Sequence, residues 1–126
     1  MVLSTNFWTN KRVIITGANG FIGSHLTHRL ELLGARVVGV SRNHGSGVDV
    51  TDRDSLSAIF QKKPSVVFHL AGEALVEKGK EAPYETFRTN MIGTLNILEL
   101  SRFHHISRVI VASTAHDYGE GPPPFN

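Results

Sequence analysis

The chain has 126 residues, 40% of them hydrophobic and 19% charged, enough for one globular domain with a buried core. Thirteen basic against 11 acidic residues leave a net charge of +2, and the basic side chains are scattered, which gives no support to nucleic-acid or membrane-surface binding. Cysteine is absent, no apolar run is long enough to cross a bilayer, and residues 1–12 lack the basic-then-apolar layout of a secretory signal, so the expectation is a cytoplasmic enzyme or binding domain.

In chain order, "RVIIT" (12–16) is short, β-branched and continuously apolar up to Gly17, as suits a strand covered on both faces of a parallel sheet. Ile22, Leu26, Leu30 and Leu33 then recur at helical spacing, and Gly34 supplies a C-terminal stop. "ARVVGVS" (35–41) reads as a second strand and "GVDV" (47–50) as a weak third. "TDRDSLSAIFQKK" (51–63) reads as a second helix, with Thr51 or Asp52 as N-cap, aspartates in its first turn and Pro64 closing it. "SVVFHLA" (65–71) is a fourth strand. Pro83 opens a long third helix running to about His104, whose stripe of Phe87, Met91, Leu95 and Leu98 is expected to pack on the sheet as core. "RVIVAS" (108–113) is a fifth strand, and apart from the prolines at 122–124 there is neither repeat nor low-complexity linker.

Strands alternating with helices over short connections predict an α/β fold, a Rossmann-type doubly wound parallel sheet in the order 3-2-1-4-5 with helices on both faces, forming a single domain over 1–126. "TGANGFIGSH" sits where the first strand passes into the first helix, with Gly17, Gly20 and Gly23 spaced three apart. A backbone that turns sharply and then approaches a pyrophosphate has no room for a Cβ, and the helix behind it offers unpaired N–H groups and a positive dipole end. Gly17, Asn19, Gly20, Phe21 and Ile22 are the candidate cofactor-binding residues of this turn, and Gly23 lets the helix pack closely on the strand.

The spacing GxxGxxG resembles that of the extended short-chain dehydrogenase/reductase family, the NAD-dependent epimerase/dehydratase type. Later motifs match in order: "VDVTD" looks like its acidic turn, "HLAGEAL" like its H-L-A-A turn, "TNMIGTLNIL" like its N-x-x-G-T helix, and "ASTAHDYG" like its S-S/T-x-x-x-Y-G. The resemblance covers 11–121 and looks closest to the sugar-nucleotide 4,6-dehydratases, the CDP-glucose type in particular. It implies that Asp49 or Asp52 reaches the adenine amino group with Val50 beside the ring, a helix cap being the equal alternative for Asp52. It also implies that Leu70, Ala71 and Gly72 make room for the ribose and pyrophosphate.

Where an NAD enzyme presents a carboxylate to the ribose 2′-OH, about 20 residues past the glycines, this chain reads Ser41-Arg42. A hydroxyl followed by a guanidinium can bind and neutralise a 2′-phosphate, so the expected cofactor is NADP, with NAD the second choice.

By the resemblance, Thr114 is the hydroxyl that hydrogen-bonds the sugar oxygen being oxidised, and a Tyr-x-x-x-Lys pair transfers the proton. No such pair occurs among the 126 residues, and Tyr118 matches a structural turn. The expectation is therefore the amino-terminal, cofactor-binding part of an NAD(P)-dependent nucleotide-sugar 4,6-dehydratase or epimerase, inactive alone. Ala115 and His116 stand where many dehydratases carry an acidic pair, which keeps the epimerase open; a non-catalytic NADP-binding domain or an inactive truncated product is the alternative. Partners implied are a nucleotide-sugar substrate and a second copy, a homodimer through the helix near 84–104; histidine spacing suggests no metal.

Overall fold

The computed structural model describes residues 7–43, 45–114 and 119. Strands β1 (Arg12–Thr16), β2 (Arg36–Val40), β3 (Val66–His69) and β4 (Arg108–Val111) form one parallel sheet in the order β2-β1-β3-β4. Thr16 pairs with Val40 and with His69, and His69 with Val111, so all four strands end in one row at their carboxyl edge. Loops leaving that edge form the crevice in which open α/β sheets bind ligands.

Both faces are covered. Ile14, Val40 and Val67 pack with Leu56, Ile59 and Phe60 of α2 (Arg53–Phe60) and with Ile97 and Leu100 of a later helix. Val13, Ile15 and Val66 pack on the other side with Leu30 of α1 (Phe21–Leu32), backed by Trp8, Leu26 and Phe68. That alternation along β1 is why its run is continuously apolar: Val13, Ile14 and Ile15 are each at most 1% exposed, and such burial contributes about 1.5–3 kcal/mol per large side chain. Gly34 ends α1 as expected, with φ +85 and its N–H donated to the Glu31 carbonyl at 2.9 Å. The result is the expected doubly wound α/β fold, seen here without its outermost predicted strand.

That weak third strand does not form. Ser46 Oγ takes the N–H groups of Ser41 and Val48, each at 3.3 Å, while Asp49 Oδ1 takes both the N–H and the hydroxyl of Thr51 at 2.8 Å. Side-chain acceptors thus draw the backbone of 46–51 into turns instead of a ladder.

The long helix is continuous but not uniform: α4 (Pro83–Phe87), a π-helical segment (Arg88–Ile92) and α5 (Gly93–Phe103) follow without a break. A short α3 (Val76–Glu81) precedes them, unforeseen because "VEKGKE" has no apolar period. The expected core stripe is also corrected, since Phe87 (59%), Met91 (53%), Leu95 (54%) and Leu98 (44%) are exposed. The buried side is Gly93, Asn96, Ile97, Leu100 and Ser101. Close approach to Val50 selects it: a Cβ on Gly93 would lie 2.6 Å from Val50 Cγ2, and Asn96 Nδ2 donates to the Val50 carbonyl at 3.0 Å. A small residue and an amide fit there better than leucine would.

Candidate functional site

The glycine turn is held from three sides. Gly17 leaves β1 at φ +69, donating its N–H to the Val40 carbonyl at 2.8 Å, and a Cβ on it would stand 2.9 Å from Ala71 N. A Cβ on Gly23 would lie 2.0 Å from the Gly17 carbonyl oxygen, so α1 can begin where it does only with glycine there. Gly20 is the N-cap of α1, with no side chain capping the helix and no acidic residue in its first turn. The first-turn N–H groups and the positive dipole end therefore face the crevice without a side-chain partner.

A cleft of about 260 Å³ lies over this turn. Gly17, Asn19 and Gly20 line it from the turn, Val40, Ser41, Arg42 and Asn43 from the exit of β2, and Leu70, Ala71 and Gly72 from the exit of β3; Val48, Val50 and Thr89 complete it. Nine of the twelve residues expected to hold the cofactor line this cleft. Phe21 and Ile22 do not; they are exposed on the first turn of α1. Nor does Asp49, whose Oδ2 lies 3.9 Å from Arg42 Nη1 and whose Oδ1 is taken by Thr51. Asp52 is the N-cap of α2, accepting the Ser55 hydroxyl at 2.6 Å and the Ser55 N–H at 3.2 Å, and these bonds hold its carboxyl below the usual range.

Four lining residues escaped the sequence reading: Val40, Asn43, Val48 and Thr89. The first two extend segments already identified. Val48 and Thr89 open the "VDVTD" and "TNMIGTLNIL" segments, whose motifs did not single them out; Thr89 comes from the π-helical segment.

A wider cleft of about 770 Å³ adjoins the first, sharing Leu70, Ala71 and Gly72. The exit of β4 brings Ala112, Ser113 and Thr114 to it, facing His69, Glu73, Asn90 and Thr94. His116, Ala115 and Tyr118 lie outside the described residues.

Behind both clefts runs a polar scaffold. His69, 2% exposed, has Nδ1 2.7 Å from Thr16 Oγ1 and Nε2 2.9 Å from Thr94 Oγ1. Burial pushes its pKa below the ordinary imidazole value. Asn90 clamps the loop after β3, accepting the Glu73 N–H at 2.7 Å and donating to the Glu73 carbonyl at 3.0 Å. Thus "TNMIGTLN" (89–96) serves the cleft chiefly by holding its walls, through Asn90, Gly93, Thr94 and Asn96.

Comparison with known proteins agrees with this architecture. A CDP-glucose 4,6-dehydratase of Salmonella typhimurium is 34% identical over 116 residues, covering 78% of this chain and 32% of that enzyme. A UDP-N-acetyl-alpha-D-glucosaminuronate decarboxylase of Bacillus cytotoxicus is 36% identical over 131 residues, covering 92% of this chain and 40% of that protein. Among solved structures, the UDP-glucose 4-epimerase of Thermus thermophilus in complex with NAD superposes with a TM-score of 0.77 at 34% identity, over 88% of this chain and 40% of its own. The chain therefore spans about a third to two-fifths of the length of these relatives. Residues 13–126 match the family described as the NAD dependent epimerase/dehydratase family, and with the glycine turn, the parallel sheet and the crevice at its carboxyl edge in agreement, the chain belongs to that family.

Proposed function

We propose that this chain is the cofactor-binding part of an NAD(P)-dependent nucleotide-sugar 4,6-dehydratase or epimerase, and that it takes NADP ahead of NAD. One observation carries the reading: the glycine turn and the exits of β2 and β3 converge on a single cleft at the carboxyl edge of a parallel sheet. Gly17, Asn19 and Gly20, with the uncapped start of α1, suit a pyrophosphate, which bare backbone amides can approach and the helix dipole favours. Val50, buried in the cleft wall, offers an apolar surface for a base.

At the exit of β2, Ser41 and Arg42 present a hydroxyl and a guanidinium where a carboxylate would repel a 2′-phosphate. The nearby carboxylate of Asp49 is engaged by Thr51 and by Arg42 itself. Bound in this cleft, the nicotinamide cofactor supplies the hydride acceptor and donor for a transient oxidation at the sugar C4. Thr114, in the adjoining cleft, positions the sugar oxygen by a hydrogen bond. The 126 residues include no Tyr-x-x-x-Lys, so their own part is to bind and orient. The relatives that act on nucleotide-sugars support the substrate class. The outward Phe87, Met91, Leu95 and Leu98 support a homodimer through the helix near 84–104.

Titration of the chain with each cofactor tests the reading. Arg42→Ala should weaken NADP about tenfold or more, the scale of one charge-assisted hydrogen bond, and leave NAD within about threefold. Equal losses for the two would remove the NADP preference, and saturable binding of neither would overturn the cofactor reading.

A further inference from the structure

The chain of hydrogen bonds behind the clefts has its proton positions fixed by what each group can donate. Thr94 Oγ1 donates its one proton to the Asn90 carbonyl at 2.6 Å, so across the 2.9 Å contact His69 Nε2 must be the donor. In the neutral ring Nδ1 is then the acceptor, and Thr16 Oγ1 donates to it at 2.7 Å. The two lone pairs left on Thr16 Oγ1 accept from the amides of Leu70 and Ala71, both at 3.1 Å. All three side chains are matched in this one arrangement, with a neutral, Nε2-protonated imidazole.

Building on the cofactor reading above, we propose that His69 is a positioning residue for the dinucleotide, a neutral imidazole strut that fixes Leu70–Gly72 as the shared floor of the two clefts and releases it in acid. A proton on Nδ1 would turn that nitrogen into a donor, and Thr16 Oγ1 would then face three donors with two lone pairs. Leu70 N is shared with the Thr16 carbonyl at 3.2 Å, so Ala71 N is the amide left without a partner. Ala71 is also the residue against which Gly17 is pressed, which carries the disturbance to the phosphate side of the cleft.

Among the described residues, the groups hydrogen-bonded to the ring, Thr16 and Thr94, carry no charge that would offset its own. Thr16 faces it from β1, Val111 of β4 and Ala112 just past its end lie beside it, and Thr94 and Asn90 approach from the helix. Glu73 is the carboxylate on the wall of the wider cleft, among the described residues that line it. Burial is what lowers the pKa, so the ring stays neutral through the ordinary imidazole range and charges only below it.

The intact chain allows a test in two parts. At neutral pH, 15N spectra should show His69 with a protonated Nε2 and a bare Nδ1. Exchange of the Ala71 amide, corrected for its intrinsic pH dependence, should accelerate between about pH 7.5 and about pH 4.5, chiefly in the lower half of that interval. A ring protonated at Nδ1 at neutral pH, or Ala71 protection indifferent to acid, overturns the strut whether or not any cofactor binds. For binding, NAD is the probe, because its phosphodiester charges do not titrate over that interval. Its affinity should fall about tenfold or more across it, and by about twofold or less in His69→Gln, whose amide donates to Thr94 without taking up a proton. An undiminished pH dependence in the variant overturns the positioning role; should the variant not fold, the wild-type ring and exchange measurements decide. Failure to bind NAD or NADP at any pH overturns the cofactor reading, while the ring and exchange results judge the strut separately.

Discussion

At Gly23 a single added methyl would lie 2.0 Å from the Gly17 carbonyl oxygen, a backbone atom with no freedom to swing aside. Gly23→Ala should therefore push α1 away from the turn, at a cost of about 1–3 kcal/mol or more in denaturant unfolding. Cofactor affinity should fall with it, because the helix start that faces the cleft moves. A variant as stable as the wild type would mean that the turn tolerates the shift. The importance of this residue was legible in the sequence, since glycine at a strand-to-helix junction has few other physical reasons. Asp52 was not decided so: a carboxylate in that place serves equally as adenine ligand or as cap. Only the bonds to Ser55 separate the two.

Among elements, the helix through 83–103 is where periodicity misled. Phe87, Met91, Leu95 and Leu98 make the more apolar stripe, yet it faces outward and the side with Asn96 and Ser101 is buried. Hydrophobicity alone could not find the buried face, because the contact with Val50 demands a glycine and an amide donor. Two substitutions separate the faces. Ile97→Ala should cost about 2–5 kcal/mol, as a fully buried aliphatic side chain does. Leu98→Ser should stay within about 0.5 kcal/mol in the isolated chain, as a surface change does. Reversed magnitudes in chemical unfolding would return the stripe to the core. The missing strand has a comparable origin, since "GVDV" has the right residues but Ser46 takes the backbone donors of Ser41 and Val48, and Asp49 that of Thr51.

Over the whole molecule, β1, the glycine turn and the strand alternation were readable because each is specified by residues close together in sequence. The cleft itself was only partly so. Its turn and its β2 and β3 exits lie at predictable distances from strands, whereas Val48 reaches it from the turns at 46–51 and Thr89 from the π-helical segment. Thr16, His69 and Thr94 lie far apart in sequence, and nothing short of the assembled sheet shows that they form one hydrogen-bonded chain. The central claim is that the crevice at the carboxyl edge of this sheet binds a nicotinamide dinucleotide. An NMR titration of the 126-residue chain with NADP tests it most directly. Saturable shifts should concentrate on the amides of 17–23, 40–43, 48–50 and 70–72, leaving α2 and the amino ends of the strands unchanged. Shifts that never saturate, or that gather away from that edge, would contradict it.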